Sequence, residues 1–193
     1  LMKNLNLDNK RRRRRKRKIQ IIMAYVLVAI GLAWFFESQA TTTIIFVRHA
    51  EESSLNEEES SLTTEGEIRS AELARQLVDA DVIAGVDAIY STSFQYSKQT
   101  ALPISKALNI PIEIYDISDT ELIIEDIIKQ HKGKIILVVG HNNTLPLMIG
   151  NMGASKDVPK IEDNEYDNIY LVSIPWFGKT KTIRLRYGLP YSS

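Results

Sequence analysis

Two of the three histidines in this chain follow short apolar runs. The first run is Ile44-Ile45-Phe46-Val47, leading into Arg48-His49-Ala50. The second is Ile135-Ile136-Leu137-Val138-Val139, leading into Gly140-His141-Asn142. Both runs are rich in β-branched residues and too short for helices, which predicts fully buried strands of a parallel sheet. Open α/β sheets bind ligands beyond the carboxyl ends of their strands, and both histidines fall there. An imidazole can act as nucleophile or proton carrier near neutral pH. Arg48, next to His49, adds a permanent planar cation whose fork of donors matches an oxyanion. The set therefore permits chemistry on an anionic group such as phosphate. A lone histidine after a strand is usually structural; two at the ends of two such strands favour a pocket. The third, His131, lies in Lys129-Gln130-His131-Lys132-Gly133 and reads as a solvated helix end without a function.

The elements that must position these groups alternate between strand and helix. After the first strand, Glu51 to Ser61 is acidic and serine-rich, which reads as an active-site loop. Thr63 or Thr64 can cap a helix running to about Val78, with Glu67 spaced for a capping box with Thr64. A strand at Asp87 to Tyr90, a helix from about Phe94 to Leu108 with Pro103 inside it, and a strand at Ile110 to Tyr115 come next. Asp119 to Lys132 is a helix with Leu122, Ile123, Ile127 and Ile128 at helical spacing. A short helix starts near Thr144, with Pro146 tolerated in its first turn. Gly150 to Asn168 reads as an irregular excursion. The end reads as a hairpin, Ile169 to Ile174 and Thr182 to Tyr187, with a turn at Phe177-Gly178. The pattern predicts a three-layer, doubly wound α/β domain: a mostly parallel sheet, helices on both faces and a C-terminal β-hairpin, preceded by one N-terminal hydrophobic helix.

The formal net charge of zero hides a segregation. Residues 1–40 hold 10 of the 24 Lys/Arg and 2 of the 24 Asp/Glu, leaving 14 basic and 22 acidic residues in 41–193, a net of −8. An acidic body argues against nucleic-acid binding by that domain. Any phosphate capture must then rest on local contacts rather than long-range attraction. The chain has no cysteine, so no disulfide and no thiol chemistry.

The N-terminal segment reads as a basic cytoplasmic stretch, residues 1–18, followed by a signal peptide or transmembrane anchor, residues 19–40, before the domain at 41–193. Nine consecutive basic residues, Lys10 to Lys18, precede the apolar stretch Ile19 to Phe36. As a helix that stretch spans roughly 27 Å, close to the roughly 30 Å hydrocarbon core. The positive-inside rule places the basic run in the cytoplasm and the domain across the membrane, anchored or secreted. Ser38-Gln39-Ala40 is a small-x-small site suited to signal peptidase, so cleaved signal and uncleaved anchor both stay open.

Residues 43–187 resemble the histidine phosphatase superfamily, also called the phosphoglycerate mutase-like family. Four ordered motifs carry the resemblance: Arg48-His49-Ala50; Leu62-Thr63-Thr64-Glu65-Gly66; Tyr90-Ser91-Thr92-Ser93-Phe94 through Gln99-Thr100-Ala101; and Gly140-His141-Asn142-Asn143-Thr144. The resemblance implies metal-independent phosphomonoester hydrolysis through a phosphohistidine, with no cofactor. His49 is implied as nucleophile, His141 as hydrogen-bond donor to the transferring phosphoryl group, and Arg48 and Asn143 as phosphate contacts. The substrate implied is a phosphorylated small molecule or a phosphoprotein, and the chain is more similar to the small phosphatases of the family than to its mutases.

The third motif departs from the pattern. The family places a second phosphate-binding arginine three residues before the Gln-Thr-Ala, and here that position is Tyr96. A tyrosine hydroxyl can donate to phosphate but supplies no charge, and a charge-assisted bond is worth about 1.5–3 kcal/mol. Tyr96 is open to two readings, phosphate contact and packing residue. Of the carboxylates Glu51, Glu52, Asp116, Asp119 and Glu121, the general acid is taken to be Glu121. The rival to the enzyme is a degenerate pseudophosphatase, a phosphate-binding or interaction module held at the membrane. A cytoplasmic mutase conflicts with the N-terminal segment.

Overall fold

The computed structural model describes residues 2–37, 41–53, 60–79, 85–153, 158–176 and 178–188, which divide into two compact units, residues 1–39 and 40–193. The first unit is a single unbroken helix, α1 (Met2–Glu37). Its stretch Arg12–Phe35, 24 residues, is long and apolar enough to cross a membrane, a test that a signal sequence also passes. The described side chains along it are exposed to solvent, Tyr25 at 75% and Trp34 at 73%. Ser38-Gln39-Ala40 lies outside the described residues.

The second unit runs β1 (Thr42–Arg48), α2 (Thr64–Val78), β2 (Ala88–Ser91), α3 (Gln95–Leu108), β3 (Ile112–Ile114), α4 (Thr120–Gln130), β4 (Ile135–Gly140), α5 (Leu145–Asn151), β5 (Asn168–Ile174) and β6 (Lys181–Arg186). These strands form one sheet in the order β3-β2-β4-β1-β5-β6. The pairs β3–β2, β2–β4 and β4–β1 are parallel, and β5 joins β1 antiparallel with β6 folding back on it. The architecture is the mostly parallel, two-faced α/β layer expected from the sequence, hairpin included.

Period-two alternation sorts the strand residues between the faces. Ile44, Phe46, Ile136 and Val138 pack with Ile124 and Ile127 of α4 and with Leu145, Met148 and Ile149 of α5. Ile45, Val47, Leu137 and Val139 pack with Leu73 and Ala74 of α2 and with Ala101 and Ile104 of α3. Because β1 and β4 are covered on both sides, neither has a polar face, and their runs are continuously apolar. The register Val47↔Val139 and Arg48↔Gly140 brings the two strand ends level.

Local details differ from the expectations in two places. Thr63 is the N-cap of α2, its Oγ1 accepting from Gly66 N at 3.1 Å. The third helical position is therefore Gly66, so Glu67 and Thr64 do not form a capping box. His131 is not solvated: it is half-buried after α4, its Nε2 2.9 Å from the hydroxyl of Tyr90. Asp119 caps α4 by accepting from Leu122 N, and Pro103 lies inside α3 without ending it.

Candidate active site

The parallel pairing of β1 and β4 delivers His49 and His141 to one place. Their ring centroids are 5.2 Å apart, and His49 N donates to the carbonyl of Gly140 at 3.0 Å. A Cβ at residue 140 would meet the Tyr115 hydroxyl at 2.9 Å and the Leu145 side chain, which explains the glycine ahead of His141.

His49 is 3% exposed, and its Nδ1 lies 2.9 Å from the carbonyl oxygen of Ala50. A carbonyl only accepts, so the shared proton sits on Nδ1, and in the neutral ring the lone pair is on Nε2. The Glu52 carboxylate stands 3.3 Å from the same Nδ1. Burial pushes the Glu52 carboxyl up, but its bond to His49 and the charges of His49 and Arg48 outweigh this and hold it down at about 2. Glu52 is thus ionised at neutral pH and favours the Nδ1-protonated ring. His141 is lowered to about 4, first by burial and then by the charges of His49 and Arg48, so near neutral pH it is an uncharged imidazole. Its Nε2 lies 3.2 Å from Thr92 Oγ1.

Arg48 is held from one side. Its Nη1 donates to the carbonyls of Glu162 at 2.9 Å, Asp163 at 2.8 Å and Glu165 at 3.3 Å. The Tyr166 ring lies under the guanidinium, 3.9 Å from Cζ to centroid. Its Nε is buried without a hydrogen-bond partner. A buried donor left unpaired costs free energy, and an oxyanion in the adjacent cavity would satisfy it.

That cavity, about 700 Å³, is lined by Arg48, His49, His141 and Glu52, by the apolar or aromatic Phe94, Tyr96 and Ile117, and by the polar Ser60, Asn142 and Asn143. Five of the six residues singled out in the sequence meet here: His49, His141, Arg48, Tyr96 and Asn143. The sixth does not. Glu121 is an exposed residue in the first turn of α4 and is absent from the cavity lining. Among the described residues, the carboxylate that reaches the His49 ring is Glu52, three residues beyond it.

The remaining motif residues lock the blocks together. Thr100 Oγ1 accepts from Ala50 N at 2.9 Å, and Gln99 Oε1 accepts from Leu62 N at 2.8 Å. Gly66 lies so close to Glu51 that a Cβ there would overlap the Glu51 carbonyl oxygen. Glu51 itself receives Arg69 Nε at 2.8 Å. These pairs tie Ala50, Glu51 and Leu62 to α2 and α3.

The sequence model of the histidine phosphatase superfamily (branch 1) matches residues 44–117. The chain fits a member of the histidine phosphatase superfamily. Similar solved structures include the protein histidine phosphatase SixA complexed with tungstate, at 17% identity and TM-score 0.62, covering 75% of this chain and 96% of that one. A phosphoglycerate mutase from Plasmodium falciparum is similar at 19% identity and TM-score 0.58, over 80% of this chain and 97% of that one. A mycobacterial glucosyl-3-phosphoglycerate phosphatase is similar at 7% identity and TM-score 0.56, over 79% and 100%. A search of curated proteins finds no match. Tyr96 of the third motif faces the two histidines, its ring 4.4 Å from that of His49 and 5.9 Å from that of His141.

Proposed function

We propose that the domain hydrolyses phosphomonoesters through a phosphohistidine on His49. The observation that carries this reading is the pinning of the His49 Nδ1 proton by Ala50 and Glu52, beside the unpartnered Nε of Arg48. The Nε2 lone pair attacks phosphorus, the P–O bond to the leaving group breaks, and the leaving oxygen gains a proton from solvent or substrate. Water then attacks the phosphohistidine, the P–N bond breaks, and inorganic phosphate departs. Arg48 and Asn143 hold the phosphoryl oxygens, and neutral His141 donates to them as charge builds. Glu52 orients the nucleophile and, being ionised, is not the proton donor. Glu121 takes no step. These steps use side chains and water alone.

The substrate in this proposal is a phosphoprotein or a phosphorylated small molecule. The fold's likeness to a protein histidine phosphatase supports the former. The basic run before the apolar helix supports an exported domain with its N-terminus in the cytoplasm, retained by α1 or released by cleavage. One observation favours a second reading: Tyr96 supplies no charge to stabilise phosphoryl transfer, so the site would bind phosphate without turning it over and serve as a binding module.

The test is p-nitrophenyl phosphate hydrolysis by the full chain in detergent micelles, beside His49→Ala. Turnover that vanishes in the variant supports the mechanism, and equal turnover in both sinks it. Phosphate binding without turnover in either protein would select the binding module.

A further inference from the structure

Residues 158–167, ahead of β5, form no helix or strand, yet they make the contacts that hold Arg48. Three of their carbonyls and the Tyr166 ring enclose one edge and one face of the guanidinium. Asp163 also accepts from Asn142 Nδ2 at 2.8 Å, so the same turn touches the block after β4. These bonds engage Nη1 and leave the buried Nε without a partner. The direction in which Arg48 presents itself to an anion is set by backbone oxygens of residues 162–165.

Such a turn does not hold itself together electrostatically. Glu162, Asp163, Glu165 and Asp167 put four carboxylates into six residues, in a domain already net negative. Glu165 and Asp167 are buried, with side chains 6% and 1% exposed. Buried carboxylates without a counter-charge would be costly. Arg186, at the end of β6, meets both. Its Nη1 donates to the two Asp167 oxygens at 2.7 and 2.9 Å, and its Nη2 donates to Glu165 Oε1 at 2.7 Å. The other Glu165 oxygen accepts from Glu162 N at 3.2 Å, which closes the turn whose carbonyls grip Arg48.

We propose that Arg186 is a positioning residue for phosphate binding: by clamping Glu165 and Asp167 it fixes the 162–165 carbonyls that aim Arg48. Arg186 does not line the cavity and touches no reacting atom. A planar fork suits the task because it meets two carboxylates at once, which a lysine cannot copy. The inference rests on the phosphate-binding role given to Arg48 above.

The test uses the full chain in detergent micelles, with inorganic phosphate as probe in calorimetry and p-nitrophenyl phosphate for turnover. Arg186→Met is expected to weaken phosphate binding and raise KM on the order of 10-fold to 100-fold, the scale of a misplaced binding group. Arg186→Lys keeps the charge and guards against a variant that fails to fold; a smaller loss in the same direction is expected. The decisive readout is the cycle with Arg48→Ala. Once Arg48 is gone, Arg186→Met should cost phosphate binding nothing further. Additive losses, or a folded Arg186→Lys or Arg186→Met that binds phosphate like the parent, overturn the inference while leaving the phosphatase reading intact. A parent chain that neither binds phosphate nor turns over substrate sinks that reading and this one with it.

Discussion

The rings of His49 and Tyr96 lie 4.4 Å apart between centroids, tilted by 55°. Tyr96 also stands edge-on to His141 and stacks on Phe94 at 5.4 Å and 16°. Position 96 therefore looks into the cavity from the first turn of α3, and a longer cation there would be guided by Phe94 toward the anion site. Tyr96→Arg is expected to raise kcat/KM for p-nitrophenyl phosphate by roughly tenfold or more, since a charge-assisted bond is worth about 1.5–3 kcal/mol. Steady-state kinetics checks it, and an unchanged value would remove position 96 from the phosphate.

Glu52 is the carboxylate partner of the His49 ring. Glu52→Gln keeps the shape and removes the charge that favours a proton on Nδ1. The expected result is a fall in kcat on the order of tenfold or more, with a smaller change in KM, because orientation of the nucleophile matters most in the transition state. Loss confined to KM would place Glu52 in substrate binding instead.

Acid is expected to weaken the fold in two stages. The His141 pKa falls from 6.5 to about 4 on folding, so between those values the unfolded chain binds more protons. Stability is full above about pH 6.5 and declines as pH drops toward 4. The Glu52 carboxyl falls from 4.5 to about 2, so its share is present above 4.5 and is lost between there and 2. Thermal melting across pH 7 to 3 reads this, and His141→Gln should lack the upper part of the decline. A melting temperature flat from pH 7 to 4 in the parent would contradict it.

Gly66→Ala forces a methyl group against the Glu51 carbonyl. Neither the backbone of α2 nor the loop after β1 can yield cheaply, and a cost of about 1–3 kcal/mol is expected, as for overpacking. Gly85→Ala, where an added Cβ meets nothing within 4 Å, is the control and should stay within about 0.5 kcal/mol. Urea unfolding of the two variants compares them; equal midpoints would deny the close approach its cost.

The strands that carry the site were the easiest part to read from the chain. β1 and β4 are buried on both faces, so their continuous apolar runs declare themselves, and the residue after each run must emerge at the carboxyl edge. The carboxylate partner of His49 was harder. Glu51, Glu52 and Glu121 are all carboxylates near strand ends, and only the path of the loop after β1 separates them: Glu51 turns to Arg69 and Glu52 turns back to His49. His131 misled because a lysine-flanked helix end looks solvated, whereas Tyr90 reaches it from β2. The support under Arg48 left no trace at all. It is made by carbonyl oxygens of residues 162, 163 and 165, and a carbonyl has no sequence signature.

The antiparallel placement of β5 has a consequence for how such a site can change. Its register with β1 sets Ile169 opposite Val47, so the first residues of β5 stand beside the last residues of β1. In a wholly parallel sheet, the carboxyl edge receives only outgoing connections, each leaving a strand that has just been laid down. Here one connection arrives inbound at that edge, carrying residues 162–167 to the reactive end after the second histidine has been passed. Length and composition upstream of β5 can therefore vary and retune the anion site, while the hydrogen-bonded frame of six strands keeps its order.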